Sequence, residues 1–211
     1  MTSTKWENIR KATDESILGD KNIHSFLRPV IRGEEKRNEF IKNCLKKNKT
    51  RWMLNRLKWF IELADHQQYD SVKVFFLIAM AETNIKLLED RFKDNSNETS
   101  DVKKFFDGFP AQDKDELKKY FFKTDEYLNR KYFEFDTVVD ILLNVRHRVV
   151  HGKNHYDFRF HNGSNNLMNI ICGETGSRNK KKKIEYELEI TYKKFRKMMI
   201  KNAVGNIKRA I

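Results

Sequence analysis

The chain has 211 residues and a formal net charge of +13, with 39% hydrophobic residues, two Pro and eight Gly. That length holds one good domain with room for an appendage. So few turn formers argue against a sandwich or barrel and for long helices. Cys44 and Cys172 are the only cysteines; they cannot build a disulfide framework or a four-thiolate zinc site and read as reduced thiols of a cytoplasmic protein. The longest apolar run, residues 74–81, is too short for a bilayer, and the first residues lack the apolar core of a signal peptide, so no membrane partner is expected. The cationic excess points to an acidic partner, nucleic acid first. A basic background composition would give the same charge, and charge alone does not name a ligand.

In chain order, residues 1–33 are mixed, with Gly19, Pro29 and Gly33 as breakers, and predict a short helix and loops. Residues 34–66 read as one long helix in which Met53, Leu57, Phe60, Ile61 and Ala64 recur at helical spacing. Between Phe40 and Phe60 lie seven basic residues and no acid. Among them Lys46, Lys47, Lys49 and Arg51, with Trp52 and Trp59 nearby, are candidate RNA contacts; a solvated face over a Trp-filled core fits the same pattern. Residues 70–92, capped by Asp70 or Ser71, are apolar nearly all round, the mark of a buried central helix. A polar loop at 93–100 precedes a third helical stretch over 101–130, interrupted at 108–110. The fourth helix runs from Phe135 or Thr137 to His151 and stops at Gly152.

Beyond that point the periodicity changes to two. Residues 156–160 and 184–190 alternate, with Ile184, Tyr186, Leu188 and Ile190 on one face and Glu185, Glu187 and Glu189 on the other; residues 167–172 are a further candidate strand. A small β-hairpin or three-stranded flap follows, carrying an exposed basic loop over 173–183. Lys180, Lys181, Lys182 and Lys183 are its candidate RNA contacts. From Tyr192 a final helix carries seven basic residues and no acid. The expected organisation is an N-terminal helical extension (1–66), a helical core (67–152), a β-flap (153–191) and a C-terminal basic helix packing on the core (192–211).

The fourth helix concentrates the chemistry. At roughly 100° per residue, Val138, Ile141, Leu142, Val145 and Val149 gather on one side, and Asp140, Asn144, His147 and His151 nearly opposite. Arg146 lies at the border of the apolar stripe. His147 and His151 are one turn apart and can be neighbours. Arg plus His in one cleft is a minimal kit for cutting RNA without metal or other cofactor. Histidine can take the proton of the ribose 2′-hydroxyl and return one to the leaving oxygen. A guanidinium can hold the charge that builds on the phosphate. A structural reading competes, in which His151 bonds a backbone carbonyl at the helix end and Arg146 pairs with an acid. A metal site from His147, His151 and His155 is a third alternative, weakened because Gly152 breaks the helix and only Asp157 lies close by as a further ligand.

The stretch Asn144-Val145-Arg146-His147-Arg148-Val149-Val150-His151-Gly152 resembles the signature of the HEPN superfamily. That signature is an Arg, a polar residue (often Asn), three variable residues and a His, at the end of a hydrophobic helix. His147 departs from the commonest residue there. The apolar run around Glu82 resembles the early HEPN helix, which often holds one acid; Glu82 would brace Arg146, although it also reads as an ordinary polar break in a buried helix. The resemblance covers residues 70–152 and leaves the first 66 residues and the flap unmatched. It implies a mainly α fold, an antiparallel helical bundle that forms a homodimer with the two motifs meeting across the interface. It also implies a metal-independent endoribonuclease of a toxin–antitoxin or defence system, with an antitoxin or defence-system protein as a further partner. Arg146 would bind the phosphate, His151 would be the general acid or base, and His147 would share the proton work, with Asn144 and Asp140 in support. Some members have lost catalysis and serve as scaffolds or nucleotide-binding modules, so a non-catalytic RNA- or nucleic-acid-binding or scaffold protein is the alternative.

Overall fold

The computed structural model describes residues 14–91, 98–127, 129–152, 158–162, 171–175 and 182–211, with only the backbone given over 171–175 and 182–184. Residues 14–18 are helical. Eight further helices follow among the described residues: α1 (Lys21–Leu27), α2 (Glu34–Leu45), α3 (Asn48–Asp65), α4 (Asp70–Leu88), α5 (Glu98–Asp107), α6 (Ala111–Lys118), α7 (Phe135–Val150) and α8 (Tyr192–Ala210). Four short strands, β1 (Phe121–Thr124), β2 (Arg130–Tyr132), β3 (Ile171–Thr175) and β4 (Lys182–Leu188), complete the chain. The protein is thus a mainly helical bundle with a small antiparallel sheet. Among the described residues no helix is long and apolar enough to cross a membrane.

The apolar run of α4 makes it the central helix, as its sequence predicts. Val74, Leu77, Ile78, Met80, Ala81 and Ile85 are buried, and α3, α5, α7 and α8 all pack against it. Each large side chain so buried contributes roughly 1.5–3 kcal/mol. One apolar cluster runs from Ile17 to Ile207, so all four expected segments feed the same core. In α8, Phe195, Met199, Ile200, Ala203, Val204 and Ile207 face inward. Two buried amides fix its register: Asn206 donates to Asn84 Oδ1 at 2.6 Å, and Asn202 to the Phe105 carbonyl at 2.6 Å. Its basic face is partly neutralised within the molecule, because Lys194, Arg196 and Lys201 pair with Glu116, Asp65 and Asp113.

Several expectations need correction. The helix read over 34–66 is two helices, with Lys47 extended (φ −118°, ψ 138°) between them. No glycine or proline marks the break. It is held by side chains that reach the last carbonyls of α2: Thr50 Oγ1 donates to the Cys44 carbonyl at 2.6 Å, and Arg51 Nη2 to the Leu45 carbonyl at 2.7 Å. The polar loop ends earlier than expected, because α5 already begins at Glu98. The helical stretch to residue 130 stops at Lys118, and Phe121–Thr124 and Arg130–Tyr132 form a hairpin. Asp125 organises its turn by accepting from the backbone N–H of Tyr127 and of Asn129, at 3.0 and 2.9 Å.

The expected flap is present as the β3–β4 hairpin, but it does not stand alone. β4 pairs with β1, so the sheet has four strands in the order β2-β1-β4-β3. The predicted face is real where side chains are described: Tyr186, Leu188 and Ile190 are buried. Arg130 clamps the opposite face to Glu189 with two hydrogen bonds of 2.9 and 2.7 Å. The strand candidate at 167–172 overlaps β3 only at Ile171 and Cys172. Phe158 to Phe160 has no strand pairing, and residues 153–157 and 163–170 lie outside the described residues.

Asp20 ties the N-terminal helices to α3. It caps α1 by accepting from the N–H groups of Asn22 (2.8 Å) and Ile23 (3.3 Å), and it pairs with Lys58. Burial pushes its carboxyl up, but Lys58 and the two backbone N–H groups outweigh that and hold it below its ordinary value of 3.8. A depressed folded value means that the contribution is present above that ordinary value and lost as pH falls through the folded one. Asp20→Ala should therefore lower stability by about 1–2 kcal/mol at neutral pH. Asp20→Asn keeps the cap, loses the Lys58 pair and should cost less. Urea unfolding at pH 7 and at pH 3 checks both, since the gap between wild type and Asp20→Asn should narrow in acid.

Candidate active site

The apolar stripe of α7 lies where helical arithmetic puts it, with Val138, Ile141, Leu142 and Val145 buried against α4 and neighbouring elements. The helix ends as the sequence predicts. His151 is its C-terminal cap, with its backbone N–H bonded to the carbonyls of His147 and Val149. Gly152 takes φ +62°. A Cβ there would meet nothing within 4 Å, so the positive φ alone is what favours glycine.

His147 and His151 are exposed, and their rings are neighbours, with centroids 4.2 Å apart and planes tilted by 54°. Arg146 points the other way, toward α4. Its Nη2 donates to Glu82 Oε2 at 2.9 Å and to Glu98 Oε2 at 2.9 Å. Glu82 is therefore in contact with Arg146, the geometry the bracing role requires. The two carboxylates differ in burial: the Glu82 side chain is 12% exposed and that of Glu98 51%. Glu82 also accepts from Lys86 Nζ at 2.7 Å through its other oxygen, so it sits between two cations. Among the described residues, two buried atoms beside the site have no hydrogen-bond partner, Arg146 Nε and Asn144 Oδ1. Asp140 pairs with Lys103 at 2.9 Å.

The motif residues thus divide into two groups. Glu82, Lys86, Arg146 and Glu98 form a partly buried charge network. The His147–His151 pair faces solvent at the end of the same helix. Lys86 is legible in the sequence one turn after Glu82. Glu98 carries no such signal, because it reaches Arg146 from a different helix, 48 residues away. Chemically the arrangement offers a guanidinium for a phosphate and adjacent imidazoles that can carry a proton. Of the two carboxylates on Arg146, the exposed Glu98 is the one an incoming anion can replace.

The basic candidates fare unevenly. Lys46 donates to Asn43 at 2.8 Å. Lys47 bonds the carbonyls of Ala210 and Ile211. Lys49 pairs with Asp90 at 2.7 Å. Arg51 pairs with Asp14 at 2.9 Å and is mostly buried; with its bond to Leu45, it is built into the α2–α3 junction. Trp52 and Trp59 are about half exposed, at 50% and 48%, so they do not fill the core. Lys180 and Lys181 lie outside the described residues. Lys182 and Lys183 belong to β4, with their side chains outside the description. His155 and Asp157, needed for the alternative metal site, also lie outside it; among the described residues no cluster of three His, Cys, Asp or Glu groups is arranged for a metal.

No family model matches this chain, and neither a curated protein nor a solved structure is detectably similar to it.

Proposed function

We propose that the chain is a HEPN-type endoribonuclease that cuts RNA through attack of the 2′-hydroxyl on the adjacent phosphate, leaving a 2′,3′-cyclic phosphate. One observation carries the reading: the last turns of α7 hold both Arg146, turned toward α4 and braced by the largely buried Glu82, and an exposed pair of neighbouring imidazoles, His147 and His151. The guanidinium suits the charge that accumulates on the phosphate, and the imidazoles suit the two proton transfers. The setting we favour is a cytoplasmic toxin–antitoxin or defence system, with RNA as substrate and an antitoxin or defence-system protein as partner. The test is incubation of purified protein with end-labelled RNA in EDTA, alongside His151→Ala. Cutting by the wild type and none by the variant is the expected result.

A second reading has its own support. Both hydrogen bonds of Arg146 go to carboxylates of this chain, which suits a non-catalytic RNA-binding or scaffold protein of the same type. RNA binding with no cutting by either protein would favour it.

The active form we propose is a homodimer joined near the end of α7, because one copy offers one motif and Val150, between the histidines, is 55% exposed. Light scattering should find two copies at micromolar concentration. A strict monomer with full activity would rule the dimer out.

A further inference from the structure

A second cationic site lies among the N-terminal helices. An open groove of about 710 Å³ runs along α1 and the start of α2, with Lys21, His24, Arg28 and Arg37 in its walls. Glu34 is the one acid among its lining residues, and Ser25 and Asn38 add a hydroxyl and an amide. The volume falls in the range of small-ligand sites, but the lining is polar and includes no Phe, Tyr or Trp.

The groove gathers its cations in one concave wall. Several basic side chains elsewhere are tied to acids, as Lys49 is to Asp90, Arg51 to Asp14, Lys58 to Asp20 and Lys86 to Glu82. Among the described residues neither Lys21 nor Arg28 has an acidic partner within ion-pair distance. Arg37 is anchored by a neutral acceptor, the Ile31 carbonyl, at 3.2 Å. His24 is oriented too. Its Nε2 lies 2.9 Å from the Leu18 carbonyl, which can only accept, so the ring is held in place by donating to it. Positively charged groups gathered in a concave wall without counter-charge create a local potential that favours an anion. Paired guanidinium donors match phosphate oxygens.

We propose that this groove binds phosphoryl groups, with Arg28 and Lys21 as the principal cations and Ser25 and Asn38 as neutral donors. The absence of an aromatic stacking surface favours the phosphates of an RNA backbone over a base-recognised mononucleotide. The groove is distinct from the motif at the end of α7: α1 and α2 pack on α3, whereas α7 packs on α4, α5 and α6. It does not depend on whether the chain cuts RNA.

Binding of a fluorescent 2′-O-methyl RNA ten nucleotides long, which cannot be cleaved by its own 2′-oxygen, tests the proposal without catalysis. The variant Lys21→Ala/Arg28→Ala is compared with Lys42→Ala/Lys119→Ala, which removes the same charge from exposed positions outside the groove. The groove variant should bind about tenfold or more weakly than the control, with a shallower dependence of affinity on salt. Glu34→Gln, which removes the only lining acid and no cation, should tighten binding. Pyrophosphate and adenosine monophosphate serve as small probes. Competition by either, with the same dependence on Lys21 and Arg28, assigns the site to free phosphate ligands; RNA binding alone assigns it to the backbone. Equal affinities for groove variant and control would overturn the proposal, as would no binding by the wild type. Should the double variant unfold, Glu34→Gln alone decides, because unchanged affinity there removes the groove from the binding surface.

Discussion

RNA that carries a 2′-O-methyl group at the scissile nucleotide is expected to resist cleavage completely, and DNA to resist at every position. In the proposed reaction the nucleophile is the substrate's own 2′-oxygen, and methylation removes the proton that His151 or its neighbour must take. Because no metal-activated water is involved, EDTA should leave the rate unchanged, and the 5′ fragments should end in a cyclic phosphate that acid opens. His151→Ala should lose about 10²–10⁴ in rate, the usual contribution of a positioned acid or base. His147→Asn should be milder, since it leaves His151 in place and supplies the commoner residue of the family the motif resembles. Denaturing gels of end-labelled RNA read all of these. Methylated RNA cut at an undiminished rate would refute the mechanism and leave the fold untouched.

The second large effect concerns Arg146 and its two carboxylates, which the structure lets one separate. Arg146→Ala should lower the rate by about 10²–10³, the scale for losing a donor to transition-state charge. Arg146→Lys should recover little, because an ammonium cannot reproduce the planar fork. Glu82 and Glu98 touch the same nitrogen, yet they should behave differently. Glu82 is largely buried between Arg146 and Lys86, so Glu82→Gln leaves two cations without their shared partner. It should lower stability by about 1–3 kcal/mol and lower kcat as Arg146 loses its brace. Glu98 is half exposed, and in the proposed reaction a substrate phosphate would compete with its carboxylate for Arg146. Glu98→Gln should barely move stability, within about 0.5 kcal/mol, and should lower KM. If Arg146 is only a structural tie, Glu98→Gln will leave RNA affinity unchanged, and Arg146→Ala will act on stability alone.

How far the sequence shows all this depends on the range of the interactions involved. Helix α4 is legible because a run apolar on every side can only be central, and α7 because its stripe and Gly152 are local signals. The contact of Glu82 with Arg146 is one that the resemblance of its run to the early HEPN helix implies; local pattern alone reads Glu82 equally as a polar break in a buried helix. What stays hidden is set by distant partners. Phe121 and Phe122 sit after a helical segment rich in Lys, Asp and Glu, and nothing nearby reveals that Leu188 and Glu187 will pair with them. The break between α2 and α3 is held by Thr50 and Arg51 reaching back across the turn, where a composition of lysines and asparagine reads as continuous helix. In the basic segment, counting charges could not reveal that Lys49 and Arg51 would meet Asp90 and Asp14. Glu98 escaped for the same reason.

The pairing of β1 with β4 also puts the molecule on a clock during its synthesis. The strand that carries Phe121 and Phe122 is made well before Leu188, its partner across the sheet. At about 5–20 residues per second, the interval is roughly 3–13 s. Throughout it, one edge of β1 presents unpaired backbone groups beside two phenylalanines that are buried in the finished fold, a template for pairing with another chain. Helix α7 emerges within the same interval, before α8 is available to cover α4. A ribosome-bound chain therefore holds the Arg146 and His151 segment before α8 covers α4 and completes the core.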